Sequence, residues 1–200
     1  MKETSRSNDL LYSERMVQTV RQWVETLVVG MNLCPFAKRE MVNDRVRFAT
    51  TTSITEEQLL IALQTELELL NTDTSVETTL LIHSRVLQDF FDYNQFLSYA
   101  DSLLVEMGLK GIYQIASFHP DYQFDGTNPD DAENYTNRSP YPMLHLIREA
   151  SLERAIADYP EIDQIPVRNI ALMNGIGQHK LHALLKSCLN YKDQKGVGDK

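Results

Sequence analysis

Apolar positions recur at helical spacing from Met16 to Val28, through Val17, Val20, Trp23, Val24 and Leu27, and Gly30 follows where such a helix would stop. The β-rich segment from Arg45 to Thr51 comes next. Thr55 and Gln58 then form a capping box ahead of Leu59, Leu60, Leu63, Leu67 and Leu70, the apolar stripe of a second helix. The stretch "TTLLIH" reads as a strand, Asp92 to Met107 as a helix stopped by Gly108, and "GIYQIASF" as a third strand. The middle of the chain is therefore β-α-β-α-β, an alternation that implies parallel pairing through crossovers.

An irregular stretch from His119 to Asn137 follows, longer than ordinary connections in compact domains, and Tyr122, Phe124 and Tyr135 within it favour order because they offer apolar area. Ser139, Pro140 and Pro142 then open a helix carrying Met143, Leu144, Ile147, Leu152, Ala155 and Ile156, with Pro160 as its end. Two more helical patterns, Val167 to Met173 and Gln178 to Leu189, flank "NGIG". The expected fold is α/β: a small three-stranded, mostly parallel sheet flanked by N-terminal and C-terminal helices, one domain over residues 1–190 with a disordered tail over 191–200. There is no internal repeat.

Composition narrows what this fold would do. The chain of 200 residues is 42% hydrophobic, enough for one sizeable core. A net charge of −9 argues against general nucleic-acid binding, which draws its affinity from Lys and Arg, but leaves room for a local anion site. The opening "MKETSRSNDLLYSER" lacks the apolar core of a signal peptide, and the longest apolar run, "LVVGMNLCPFA", is broken and too short to span a bilayer. A cytoplasmic protein with no membrane association is expected. The two cysteines, Cys34 and Cys188, are too few for a disulfide framework.

Candidate chemistry gathers at the strand ends. In open parallel sheets ligands bind beyond the carboxyl ends of the strands. Here those ends carry Thr50 to Ser53, then His83, Ser84 and Arg85, then His119, Pro120 and Asp121, so two imidazoles would share one rim. Arg138 precedes the expected N-cap Ser139, placing a guanidinium beside free helix amides, an arrangement suited to a carboxylate or phosphate. His145, Arg148 and Glu149 would share one face of that helix, with His145 turned to the pocket. Cys34 lies in an irregular segment before Pro35, where a thiol is either presented or packed; Cys188 sits on an apolar helix face and reads as core.

The stretches "MNLCPFA", "SFHPDYQF", "NYTNRSPYPMLHLIREASLERAI" and "IPVRNIALM" resemble a bacterial family catalogued as domain of unknown function 1415. The resemblance covers most of the chain. It implies that Cys34, Pro35, His119, Pro120, Asp121, Tyr122, Asn134, Tyr135, Asn137, Arg138, Ser139, Pro140 and His145 lie in hallmark segments, and it implies no activity, substrate or cofactor.

Three functions compete. The first is an enzyme for a small anionic metabolite: His119 as general acid or base oriented by Asp121, His83 beside it, Cys34 as optional nucleophile, and Arg138, Tyr122, Tyr135, Asn137, Ser139 and His145 as substrate contacts. The second is a metal-dependent enzyme in which His119 and Asp121 join His83 or His145 as a two-histidine, one-carboxylate set. The third is a non-catalytic ligand-sensing or interaction module. The turn "MNGIGQHKLHALL" faintly resembles helix-hairpin-helix DNA binders, against which the acidic charge weighs.

Overall fold

A computed structural model describes residues 2–157 and 161–190, with side chains from residue 8 onward. The tail expected to be disordered, and the helix end expected at Pro160, lie outside the described residues. The fold is mixed α/β: a four-stranded, partly parallel sheet with helices on both faces. No described helix is long and apolar enough to cross a membrane.

The first helix, α1 (Lys2–Trp23), starts well before its apolar stripe, and Leu10 and Leu11 stay exposed on that early part. It runs straight into a π-helical stretch, Val24–Val29, where the Gly30 amide bonds to Glu25 O (3.0 Å) and the Leu33 amide to Val28 O (2.8 Å). A Cβ on Gly30 would stand 2.3 Å from Thr26 O, so the widened turn tolerates no side chain there. This exit leads the chain through Cys34 into the short α2 (Ala37–Val42).

Strand β1 (Val46–Thr51) is followed by α3 (Glu56–Thr72), whose capping box forms as expected: the Gln58 amide donates to Thr55 Oγ1 (3.3 Å), and Gln58 Oε1 accepts from the Ile54 amide (2.9 Å). After β2 (Thr78–His83), α4 (Phe90–Glu106) is capped by Asp89 and terminated at Gly108, φ +69°. Strand β3 (Tyr113–Phe118) closes the expected β-α-β-α-β series.

The sheet departs from expectation on two points. Residues expected to begin a helix at Ser139 instead form β4 (Met143–Arg148), and only then does α5 (Glu149–Ala157) begin. The strand order is β1-β2-β4-β3: β1 and β2 pair in parallel, and β4 pairs antiparallel with both β2 and β3. The sheet thus has four strands with one parallel ladder. The physical reason is burial. A central strand is covered on both faces, so "MLHLIR" is nearly continuous in hydrophobicity and fits a helical stripe as well as a strand. Because β4 opposes both neighbours, β3 still runs in the same direction as β1 and β2, and their carboxyl ends do share one edge.

Side-chain alternation divides the core. Leu81, Leu144, Leu146 and Tyr113 meet Leu63, Leu67, Tyr93 and Phe96 of α3 and α4 on one face. Leu80, Ile82 and Met143 meet Val20, Trp23 and Leu27 on the other, with Met173 of α6 (Gln164–Ile176) and Leu181 and Cys188 of α7 (Gln178–Leu189). Both C-terminal helices fall where their periodicity predicts, joined at Gly177, φ +84°.

The long loop is ordered, as its aromatic content suggested. Asn134, fully buried in a 3-10 turn (Ala132–Thr136), accepts from the Phe124 amide (3.0 Å) and Thr127 Oγ1 (2.9 Å) and donates to Asn128 O (2.8 Å). The loop closes through the His119 amide on Asn137 O and the Ser139 amide on His119 O, 3.3 Å each.

Candidate functional site

The rim histidines are brought together but turned inward. His83 and His119 are both fully buried and pack on Tyr93 of α4, ring centroids 5.9 and 5.1 Å away. His83 Nδ1 donates to Val86 O (3.1 Å). His119 Nδ1 accepts from the Asp121 amide (3.0 Å), so Nε2 carries the proton and donates to Leu87 O (3.2 Å). Leu87 has φ +55°, and the two imidazoles hold this unusual backbone in place. Burial pushes His83 down to about 4 and lowers His119 as well, so both rings are neutral near pH 7. Asp121 acts on His119 through its backbone amide.

Arg138 stands at no helix N-terminus, because the expected helix is β4. Its Nε donates to Tyr122 O (3.1 Å), its Nη2 to Pro129 O (2.7 Å), and its guanidinium lies 4.7 Å over the Tyr135 ring. Asn137 Nδ2 bonds to Ser117 O (3.1 Å), and Ser139 Oγ donates to Tyr141 O (2.7 Å) in place of capping a helix. The Tyr122 ring packs between Phe90 and Phe124, at 5.1 and 5.0 Å. Among the described residues no three His, Cys, Asp or Glu side chains form a group able to hold a metal ion. His145 lies on the opposite face of the sheet from His83 and His119.

That second face carries a cavity of about 290 Å³. Its floor is the sheet, at Thr78, Leu80, Ala116, Phe118 and His145; its walls are Trp23 to Val28, the Cys34 to Met41 segment, and Leu152 and Ala155 of α5. Apolar surface dominates. Cys34 and His145, far apart in sequence, both line it.

His145 is fixed by its neighbour on β2. Thr78 Oγ1 has one hydrogen and donates it to Leu146 O (2.6 Å), so in its 2.7 Å contact with His145 Nε2 the hydroxyl oxygen accepts and Nε2 carries the proton. Burial holds this imidazole down to about 4. The ring is therefore neutral near pH 7, with its lone pair at Nδ1. Burial pushes the Cys34 thiol up, against the opposing pull of the Phe36 and Ala37 amides. Arg148 also borders the cavity, but its guanidinium donates to Val76 O, Asp73 O and Leu70 O and to Tyr113 Oη (2.7 Å), tying β4 to the end of α3.

Beside the cavity Arg45 pairs with Glu77 and lies 3.7 Å from Glu40, whose other oxygen is 3.4 Å from the exposed Arg39. Trp23 Nε1, Glu40 Oε2 and Glu77 Oε1 are buried without a hydrogen-bond partner, and all three residues line this cavity. Such atoms cost about 1–3 kcal/mol each in a finished core, and His83 Nε2 and Ser84 Oγ at the rim and Thr79 Oγ1 on β2 are in the same condition, so they are not peculiar to the cavity.

Cys34 and His145 were legible as candidates. Thr78, Trp23, Glu40 and Glu77 were not, because Thr78 reaches His145 only through the β2–β4 register, and Trp23 of α1, Glu40 of α2 and Glu77 come to the same cavity only by tertiary packing. A family model described as "Protein of unknown function (DUF1415)" matches residues 15–183. No curated protein and no solved structure matches the chain.

Proposed function

The chain belongs to the DUF1415 family, and we propose that it binds a small, largely apolar molecule in the cavity between the sheet and the α1, α2 and α5 segments. One observation carries this reading: an almost wholly apolar pocket interrupted by a neutral imidazole and a thiol. Binding sites for small molecules commonly combine apolar walls with a few placed polar groups. The ligand's body would rest on Trp23, Phe118 and Leu152, and His145 would orient it. Proton transfer to or from the ligand would fall to His145, whose lone-pair nitrogen no described residue engages.

A second reading keeps the rim as an anion site, with His119 as acid or base. It is favoured by the backbone bridge that sets His119 beside Arg138. It has less to rest on, since both His119 nitrogens and two of the three Arg138 nitrogens already serve main-chain groups.

Scanning calorimetry with 2-methylnaphthalene tests the cavity reading. A ligand that binds only the native state stabilises it by roughly 2.7 kcal/mol at a hundredfold excess over Kd. The expected result is a rising Tm for the wild type and none for Ala116→Leu, which places a larger side chain on the cavity floor opposite His145. An equal rise in both proteins refutes the site.

A further inference from the structure

Resting on that cavity reading, we infer that the ligand is an apolar molecule carrying a hydrogen-bond donor, a hydroxyl or an N–H, and no anionic group. The polar atoms the protein leaves open there are acceptors in the main. His145 Nδ1 is an acceptor by geometry: Thr78 spends its only hydrogen on Leu146 O, which locks the proton on Nε2. Nδ1 has no partner among the described residues and is not among the atoms sealed away from solvent. Phe118 packs at 6.1 Å from the imidazole and keeps the ring's surroundings apolar.

Charge points the same way. The cation lining the cavity, Arg148, is committed to four groups on β3 and at and beyond the end of α3, and Arg45, next to the lining, pairs with Glu77 and Glu40. A carboxylate brought inside would find no free guanidinium among the described lining residues, would face the Glu40 and Glu77 carboxylates, and would lose its hydration. A neutral donor meets the opposite situation, since His145 Nδ1 offers it an acceptor within the apolar part of the pocket. An apolar molecule without a donor would fill the space and leave that acceptor unpaired.

Three probes of similar shape separate these cases by calorimetric titration at pH 7: 2-naphthol, 2-methylnaphthalene and 2-naphthoate. The expected order is 2-naphthol tightest, 2-methylnaphthalene about tenfold weaker, a difference of 1.4 kcal/mol, and 2-naphthoate weakest. In His145→Phe the first two probes should bind alike. Equal affinity of 2-naphthol and 2-methylnaphthalene for the wild type, or tightest binding of 2-naphthoate, overturns the inference and leaves the cavity reading standing. Binding by none of the three overturns both. Should His145→Phe not fold, nitrogen-15 spectra of the wild-type imidazoles decide: 2-naphthol should move the His145 Nδ1 resonance and 2-methylnaphthalene should not, and an unmoved resonance at saturating 2-naphthol overturns the inference.

Discussion

His83→Phe tests how the rim histidines work, because it removes one titrating group and keeps a ring against Tyr93. In the native protein His83 is held at about 4, against 6.5 for an ordinary histidine, by burial. A gap of roughly 2.5 units at 1.36 kcal/mol per unit is about 3 kcal/mol. The folded value is the lower one, so the unfolded chain takes up the proton first. The stabilisation is present in full above pH 6.5 and is lost as the pH falls from there to about 4. His145, also lowered to about 4, contributes in the same direction. Together the two withdraw about 7 kcal/mol, comparable with the whole stability of a domain, typically about 5–15 kcal/mol. The wild type should therefore unfold in mild acid. His83→Phe should lose about 1 kcal/mol at pH 7 from the Val86 hydrogen bond, since Gln88 Nε2 still donates to that carbonyl (3.3 Å). Between pH 7 and 4.5 its stability should fall less steeply than the wild type's, by up to about 3 kcal/mol. Urea unfolding followed by circular dichroism at a series of pH values measures both slopes. Parallel slopes would show that His83 is not held neutral by its surroundings, and the account of the rim would fail.

Asn134→Ala should cost about 2 kcal/mol, since it leaves the Phe124 amide and Asn128 O short of a partner while Thr127 Oγ1 keeps Phe124 O; denaturation and faster proteolysis within residues 119–137 check this. Gly30→Ala should lower Tm by several degrees, because its Cβ would meet Thr26 O at 2.3 Å, and an unchanged Tm would mean that the π-helical turn relaxes freely. Cys34 should react with iodoacetamide at pH 7 at least about tenfold more slowly in the native protein than in urea, its thiol being half-buried and held protonated; mass spectrometry of the labelled peptide reads the ratio.

The helices that cover one face of the sheet were legible in the sequence because each has one wet side and one dry side. Leu59, Leu63, Leu67 and Leu70 repeat at helical spacing, and the Thr55–Gln58 capping box marks where that helix starts, with no knowledge of its neighbours. The shared edge of β1, β2 and β3, with His83 and His119 upon it, followed from the alternation of strands and helices. Local signals end at β4. A strand buried on both faces carries no alternation, and the prolines at 140 and 142 suit a helix start as well as a strand entry. Only the pairing of Met143–Arg148 between β2 and β3 decided it, and that pairing sends His145 to the face opposite the rim, beside Thr78 and in the same cavity as Cys34. Tertiary packing likewise turned His119 toward Phe90 and Tyr93 and gave the Arg138 guanidinium to main-chain carbonyls. The sequence named the reactive side chains because reactivity belongs to residue type. Which of them face a common space depends on contacts between residues dozens of positions apart, and those exist only once the sheet has formed.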